Sequence, residues 1–382
     1  MTVTTEAREL TAFAPGRTEI AGNHTDHEGG HVIAAALDRA IIGTFEERDD
    51  LIARVESEGR EPFEIDLAST DARDDEFNTS MALVRGMAAQ FVRRGVAPHG
   101  FMARVASTVP AGGGISSSAA FENMLGEAMR VLWGAGEISK LELAQMSQTV
   151  ERDWFGKPCG LMDQAACALG SIQFIDFSDD DDPRTEKIDF DFSEAGYAIC
   201  IIMVGADHSA LTGEYAAVPA EMRAAARELG VERLGELSED AVLANISRLR
   251  ATLGDRPVLR TLHYFREERL VFERAAALRA GDIDAFLNLT NRSGASSAMY
   301  LQNVSVAGAP DQPTMFALAL ADELLADRGA VRVHGGGFGG TIQAFVPADR
   351  AQGFATSIDA VLGDGACMIC SVDHEGIRSQ WL

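Results

Sequence analysis

A glycine- and serine-rich stretch at residues 110–120 constrains this chain more than any other segment. It contains three glycines and three serines: Gly112, Gly113, Gly114, Ser116, Ser117 and Ser118. Glycines allow positive φ and a close backbone approach to a ligand. Apolar residues then recur at helical spacing from Phe121 to Leu132. A helix that starts here would offer free N–H groups and its positive dipole end to a phosphate. The alternative is a tight turn with an ordinary serine N-cap.

A second glycine-rich segment lies near the C-terminal end. Gly335, Gly337 and Gly340 match G-x-G-x-x-G, but a dinucleotide-binding fold needs a helix directly after the motif. Residues 341–346 instead have the composition of a β-strand, so we exclude that fold. A Walker loop requires Gly-Lys-Ser/Thr, and all three lysines of the chain lie outside both segments. Neither segment therefore belongs to a common nucleotide-binding type.

A polar loop near the N-terminus concentrates hydrogen-bonding side chains. His24, Asp26 and His27 lie within residues 22–30, although the whole chain has only eight histidines. The preceding extended segment, residues 12–21, places Arg17 and Glu19 on one face if it is a strand. This concentration favours a binding role over a solvated loop. Metal ligation is the least favoured option, because no helix sets the geometry and no fourth ligand is evident.

The charge balance excludes several classes of partner. The chain of 382 residues carries 33 basic and 58 acidic side chains, for a net charge of −25. Such a chain lacks the basic face that nucleic acids or anionic membranes require. It can still bind ATP if Mg²⁺ and backbone dipoles supply a local positive field. There is no signal-like N-terminus and no apolar run of about 18 residues, so we expect a cytoplasmic protein without a membrane span.

The order of elements predicts an α/β protein with two domains. Strands, with a pair expected over residues 32–47, precede an amphipathic helix at residues 81–94, and a strand, the serine-rich loop and another helix follow. Ser139 and Glu142 form a capping box for a helix through residue 155. An acid, Asp163, begins the next apolar run. Further helical segments are predicted near residues 220–229, 239–253, 261–279, 283–297 and 312–326. The Cys367–Cys370 C-x-x-C indicates a buried strand rather than a zinc site. The predicted domains are residues 1–180 and 181–382.

These motifs together resemble the GHMP kinase superfamily and, within it, the galactokinases. Residues 15–26 look like the sugar signature, and residues 110–120 are similar to the ATP loop. Residues 158–164, PCGLMDQ, look like the catalytic segment, and residues 335–340 resemble the third glycine motif. The resemblance implies an N-terminal mixed-sheet domain and a C-terminal ferredoxin-like α+β domain, with the active site between them. It also implies phosphorylation of a sugar at its anomeric hydroxyl.

The resemblance assigns roles residue by residue. Asp163 would accept or position the proton of the sugar hydroxyl, and Arg17 would stabilise that carboxylate and the transferred phosphoryl group. An acid beside a guanidinium has a lowered pKa, so Asp163 should be ionised. Ser118 and Glu151 match Mg²⁺ ligands. The remaining predicted contacts are the ATP loop with Gly335 and Gly337 for the nucleotide, and a set of sugar contacts: Glu19, Asn23, His24, Asp26, His27 and Tyr215.

The sugar signature departs from the family pattern at three positions. Glu19 replaces an asparagine, Asn23 replaces the glutamate near the C6 hydroxyl, and His27 replaces a tyrosine. A neutral Asn23 and a charged His27 would admit a C6 carboxylate, so galacturonate or another hexose is an alternative to galactose. Glu19 would instead restore a nearby acid and favour galactose. A non-catalytic sensor is a further alternative, opposed by the complete serine motif. We expect a monomer or weak homo-oligomer that takes ATP, Mg²⁺ and a small sugar.

Overall fold

The computed structural model describes residues 9–110, 113–157, 159–179, 182–205, 212–306 and 308–382. Two sheets and a set of helices organise these residues. The strands are β1 Glu9–Ala21, β2 His31–Arg48, β3 Ile52–Ser57, β4 Phe63–Asp66, β5 Gly100–Ser107, β6 Ile172–Asp176, β7 Arg184–Ile188, β8 Tyr197–Met203, β9 Ala330–His334, β10 Thr341–Pro347, β11 Cys367–Cys370 and β12 Arg378–Trp381.

The described residues form eleven α-helices. They are α1 Ser80–Arg93, α2 Ser117–Leu132, α3 Lys140–Asp153, α4 Met162–Leu169, α5 Thr212–Glu228, α6 Glu239–Ala244, α7 Ile246–Leu253, α8 Asp255–Ala280, α9 Ile283–Ser296, α10 Pro313–Leu325 and α11 Ala351–Leu362. A π-helical turn, Ser297–Leu301, extends α9.

The first sheet has eight strands and is mixed, as the resemblance implied. Its main order is β12-β1-β2-β5-β3-β4, and only the pairing of β3 with β5 is parallel among the described ladders of this sheet. The segment predicted as two strands is the single strand β2. Its first part pairs with β6 and its second part with β5, so one long strand serves two partners. Because β1 pairs with the other edge, both edges of β2 are hydrogen-bonded along most of its length.

The second sheet is antiparallel and has the order β11-β8-β10-β9. In chain order this is 4-1-3-2, with α10 between β8 and β9 and α11 between β10 and β11, which is the ferredoxin-like arrangement expected for the C-terminal part. Apolar residues of α10 and α11 pack on it, among them Ala321 and Ile358. The C-x-x-C segment forms β11, and both of its cysteines are buried, as predicted.

Several elements were missed or differ from the predictions. The helix expected over residues 239–253 divides into α6 and α7, because Asn245 leaves the helical conformation and donates to the carbonyl of Ala241. Neither β12 nor α11 was predicted. Two strands that follow the predicted domain boundary, β7 and β12, belong to the first sheet. The division into residues 1–180 and 181–382 thus remains a prediction.

Candidate active site

The side chains of Arg17 and Asp163 meet where the first strand lies beside the serine-rich loop. Arg17 Nε donates to Asp163 Oδ1 at 2.7 Å, and its Nη1 donates to the Gly114 carbonyl at 2.7 Å. The Arg17 amide also donates to the carbonyl of Ile115 at 3.1 Å. One residue of β1 therefore connects the loop to the first turn of α4, which carries Asp163.

The surroundings of Asp163 keep its carboxylate charged. Burial by itself raises the pKa of Asp163, but the Arg17 guanidinium, the Ser116 hydroxyl and the Lys157 ammonium together lower it to about 2. The ion pair with Arg17 supplies the largest of these lowering effects. At neutral pH the carboxylate is thus ionised and able to accept a proton or a hydrogen bond.

Ser116 has a different role from that of an N-cap. Its backbone is left-handed, with φ 61°, and its side chain makes no capping hydrogen bond to α2. The hydroxyl instead donates to Asp163 Oδ2 at 2.6 Å. The hydroxyl thus donates to a charged tertiary partner, which makes a stronger hydrogen bond than a neutral acceptor would. The alternative of an ordinary serine cap is therefore incorrect.

Ser118 and Glu151 form a small polar cluster beside this pair. Ser118 Oγ, in the first turn of α2, donates to Glu151 Oε1 at 2.9 Å. Glu151 is buried on α3, and its other oxygen accepts from Gln164 at 2.5 Å. The Lys157 ammonium lies 2.8 Å from Glu151 Oε1. The Ser118 hydroxyl and the Glu151 carboxylate are oxygen donors of the kind that Mg²⁺ prefers. Among the described residues no group of three His, Cys, Asp or Glu side chains could hold a metal ion.

Glu122 is a neighbouring acid that no sequence motif indicated. It is fully buried on α2, and burial together with the Glu151 carboxylate raises its pKa well above the usual range. A raised pKa favours the uncharged acid, which reduces the repulsion between Glu122 and Glu151. Its spacing of four residues from Ser118 on one helix face was the available signal.

The third glycine motif contacts the polar loop, and the strand that follows it packs against the serine-rich loop. A Cβ on Gly114 would lie 2.4 Å from Thr341 Oγ1, so the loop approaches β10 too closely for any side chain at this position. The carbonyls of Gly335 and Gly336 accept from Asn23 and His24. Among the predicted nucleotide contacts, the structure describes Gly113, Ser117, Gly335 and Gly337. Gly112 lies outside the described residues.

The histidines of the polar loop form a hydrogen-bonded chain. His24 Nε2 lies 3.1 Å from the Gly336 carbonyl, which can only accept, so His24 donates there. Burial lowers the pKa of His24 to about 3, so the ring is neutral and its Nδ1 accepts from His27 Nε2 at 3.1 Å. The other nitrogen of His27 lies 3.1 Å from the buried Glu28 carboxylate.

Asp26 and Tyr215 lie beside this chain of histidines. A Cβ on Gly160 would lie 2.6 Å from Asp26 Oδ2, so the polar loop touches the segment that leads to Asp163. Burial raises the pKa of Asp26. The Tyr215 ring lies 5.8 Å from the His24 ring and is 52% exposed. Asp26 and Tyr215 both interact electrostatically with Asp163, so they lie near that carboxylate.

Glu19 and Asn23 are buried beneath the polar loop and are not exposed on its surface. Asn23 has no exposed area, and its amide atoms contact the Gly335 carbonyl at 2.6 Å, Asn303 at 3.0 Å and Ser297 at 3.2 Å. Glu19 Oε1 pairs with Arg332 at 2.5 Å. The predicted direct contact of both residues with a sugar is thus not supported by their placement, because tertiary partners occupy their polar atoms.

Residues of α8 and β9 that the sequence reading missed hold the polar loop in place. Glu267 Oε1 accepts from the Gly22 amide at 3.2 Å and from Ser293 at 2.8 Å. His263 Nε2 donates to the Asn23 carbonyl at 3.0 Å, and Arg332 donates to the Glu19 carbonyl at 3.1 Å. His263 and Glu267 are four residues apart on one helix face, which was the only sequence signal for this role.

Known proteins are similar to this chain over most of its length. Residues 82–171 match the family model for the GHMP kinase N-terminal domain, and residues 3–46 match the galactokinase galactose-binding signature. The galactokinase of Glaesserella parasuis serovar 5 (strain SH0165) is 31% identical over 355 residues, which cover 91% of this chain and 87% of the relative. The chain belongs to the galactokinase family. The galactokinase of Streptomyces coelicolor is also 31% identical, with the same coverage.

Solved structures extend the family likeness to the whole fold. The crystal structure of Lactococcus lactis galactokinase complexed with galactose matches with a TM-score of 0.82 and 25% identity, covering 99% of this chain and 96% of that one. A mevalonate kinase structure, at 14% identity and a TM-score of 0.69, shows the shared GHMP kinase fold alone. The predicted family and fold class are confirmed. No helix in the described part of the chain is long and apolar enough to cross a membrane.

Proposed function

We propose that this chain is an ATP-dependent galactokinase, which transfers the γ-phosphoryl group of ATP to the anomeric hydroxyl of galactose to give galactose 1-phosphate. The observation that carries the proposal is the contact of Asp163 with Arg17 and Ser116 at the junction of the two loops. The galactokinase relatives and the structure complexed with galactose support the same activity.

Each residue of the junction has a separate part in the transfer. The ionised Asp163 holds the C1 hydroxyl and accepts its proton as the oxygen attacks phosphorus. Arg17 keeps that carboxylate charged and stabilises the negative charge on the transferred group. Phosphoryl transfer depends mostly on such positioning and electrostatics. The loop amides and the first turn of α2 receive the phosphates, including the amides of residues 113–117.

Ser118 and Glu151 are the residues that would hold Mg²⁺. The ion supplies positive charge to the phosphate oxygens when bound. The hydroxyl and the carboxylate are oxygen ligands of the kind that this ion prefers. Because Gln164 donates to the second oxygen of Glu151, the carboxylate keeps its first oxygen directed toward Ser118. This second contact orients the ligand, as is usual around protein metal sites.

The sugar contacts are assigned to the exposed side of the polar loop. Asp26, His24 and Tyr215 would contact the sugar near Asp163. His27 positions His24 through a hydrogen bond between their ring nitrogens. Glu19 and Asn23 instead hold the loop from beneath. Galactose is favoured over galacturonate because His24 is neutral, and any positive charge on His27 meets the buried Glu28 carboxylate. A C6 carboxylate would therefore find no uncompensated cation among these loop residues.

A phosphorylation assay over a panel of aldoses and uronic acids tests the proposal. With Mg²⁺ and ATP, the purified protein should phosphorylate galactose at C1 faster than any other sugar. A kcat/KM at least about tenfold higher for galacturonate would reverse the substrate choice, since that ratio is about 1.4 kcal/mol of transition-state preference. No phosphorylation of any sugar in the panel would contradict the kinase activity and leave the sensor alternative.

A further inference from the structure

Lys157 is a cation that the roles described above do not use. It is one of only three lysines in the chain, with Lys140 and Lys187. Its ammonium is 2.8 Å from Glu151 Oε1, and its backbone amide donates to the Glu151 carbonyl at 2.9 Å. The backbone contact keeps the residue at the edge of the polar cluster, whereas the side chain is 52% exposed.

The same carboxylate oxygen has two partners. Glu151 Oε1 accepts from the Ser118 hydroxyl at 2.9 Å and from the Lys157 ammonium at 2.8 Å. A divalent cation held by Ser118 and Glu151 would approach this oxygen as well. Two positive groups a few ångströms apart repel each other, so the ammonium would be displaced when the metal binds. The exposed, flexible lysine side chain is the partner that can move.

An anion is available for the displaced ammonium. Lys157 contacts Glu151, whose other oxygen accepts from Gln164, the residue that follows Asp163. The ammonium therefore lies near Asp163, with which it interacts electrostatically. Arg17 is held there by Asp163 and the Gly114 carbonyl. The γ-phosphate carries more negative charge than one guanidinium balances. An ammonium on a four-carbon stem is well suited to reach a phosphate as a point charge.

We propose that Lys157 is a phosphate-binding residue of this site, which contacts Glu151 before the metal binds and the γ-phosphate of ATP afterwards. The proposal rests on the proposed function only in taking ATP as the nucleotide. It makes Lys157 a competitor of Mg²⁺ for Glu151 and a third positive group on the transferred phosphoryl, beside Arg17 and the metal.

Lysine acylation read by mass spectrometry tests the contact without measuring turnover. The intact protein is labelled with acetic anhydride in the presence of Mg²⁺ and either ADP or a non-hydrolysable ATP analogue. We expect Lys157 to be labelled at least about fivefold more slowly with the ATP analogue than with ADP, because only the analogue carries a γ-phosphate. Lys187, exposed on β7, is the internal control and should be labelled equally in both. Equal labelling of Lys157 would overturn the phosphate contact.

Variants test the competition with the metal. Lys157→Met should lower the Mg²⁺ concentration for half-maximal binding of the ATP analogue by about threefold or more, while kcat falls by about tenfold through loss of one charge-assisted contact. Lys157→Arg should retain more of kcat than Lys157→Met, and Lys187→Met should leave both quantities unchanged. An unchanged Mg²⁺ requirement in Lys157→Met would overturn the competition. If the wild type binds nucleotide but phosphorylates no sugar, the proposed function fails while the labelling result still decides the role of Lys157.

Discussion

The phosphate side and the sugar side of this site are built in different ways. On the proposed phosphate side, Arg17 and Ser116 contact Asp163, and Ser118 contacts Glu151; all five lie within the first 163 residues. On the sugar side, the loop at residues 22–30 is held by α8, by the π-helical turn after α9 and by the glycines after β9. The reactive groups are thus local to one part of the chain, whereas the position of the sugar loop depends on residues more than two hundred positions away.

This difference predicts that substitutions on the two sides will impair different properties of the protein. Changes on the phosphate side should reduce turnover while the fold persists. Changes beneath the sugar loop should destabilise the protein, because Glu19 and Arg332 are buried there as an ion pair.

Asp163→Asn should have the largest effect. The amide cannot accept the proton of the sugar hydroxyl and loses its charge pairing with Arg17, so we expect kcat to fall by about 1,000-fold or more. Galactose affinity, measured by calorimetry, should change by less than about threefold, because the loop contacts remain. Unchanged turnover would remove Asp163 from the role assigned to it.

Arg332→Met should be the most destabilising change beneath the sugar loop. It leaves Glu19 buried without its cation, at a cost of about 3–5 kcal/mol in the free energy of unfolding. The double variant Glu19→Gln/Arg332→Met removes both charges and should recover most of that loss. Chemical denaturation of the three proteins measures both values. A double variant no more stable than Arg332→Met would show that the ion pair is not the cause.

Ser116→Ala tests the phosphate side with a smaller change. It removes the hydroxyl that donates to Asp163 Oδ2, and we expect about a tenfold lower kcat from the loss of about 1–2 kcal/mol. The melting temperature should change little. Ser193→Ala, in an exposed turn, is the control for loss of a hydroxyl. A large loss of stability with normal kcat would instead assign Ser116 a structural role.

His31→Gln should have the smallest effect and a defined pH dependence. Although burial lowers its pKa, hydrogen bonding to Glu268 and the nearby Asp176 raise the pKa of His31 above its ordinary value. A raised pKa stabilises the fold below pH 6.5, and the contribution disappears as pH rises through the folded-state pKa. We expect the variant to lose about 1 kcal/mol at pH 5.5 and less at pH 9. Thermal melts at both values, with exposed His99→Gln as control, provide the measurement; equal losses at both pH values would contradict it.

Much of the fold was predictable because most elements carry local signals. The capping box at Ser139 and Glu142 is present as predicted, and α8 and α9 lie close to their expected positions. The strand β12 was missed because its short, polar segment, Arg378–Trp381, has no periodicity of its own. Its pairing with β1 at the sheet edge stabilises it. Likewise, the β2 segment was predicted as two strands, because no local sequence pattern shows that one long strand pairs with two different partners.

The sequence by itself indicated the kind of chemistry through an acid, an arginine and a glycine loop at a helix start. These features depend on residue type and short spacing, which a motif records. Only the tertiary structure decided that Ser116 serves Asp163 rather than its own helix, and that Asn23 and Glu19 support the sugar loop from beneath. Such roles arise from burial and from partners such as Asn303 and Arg332, which are brought close only when the two sheets and α8 pack together.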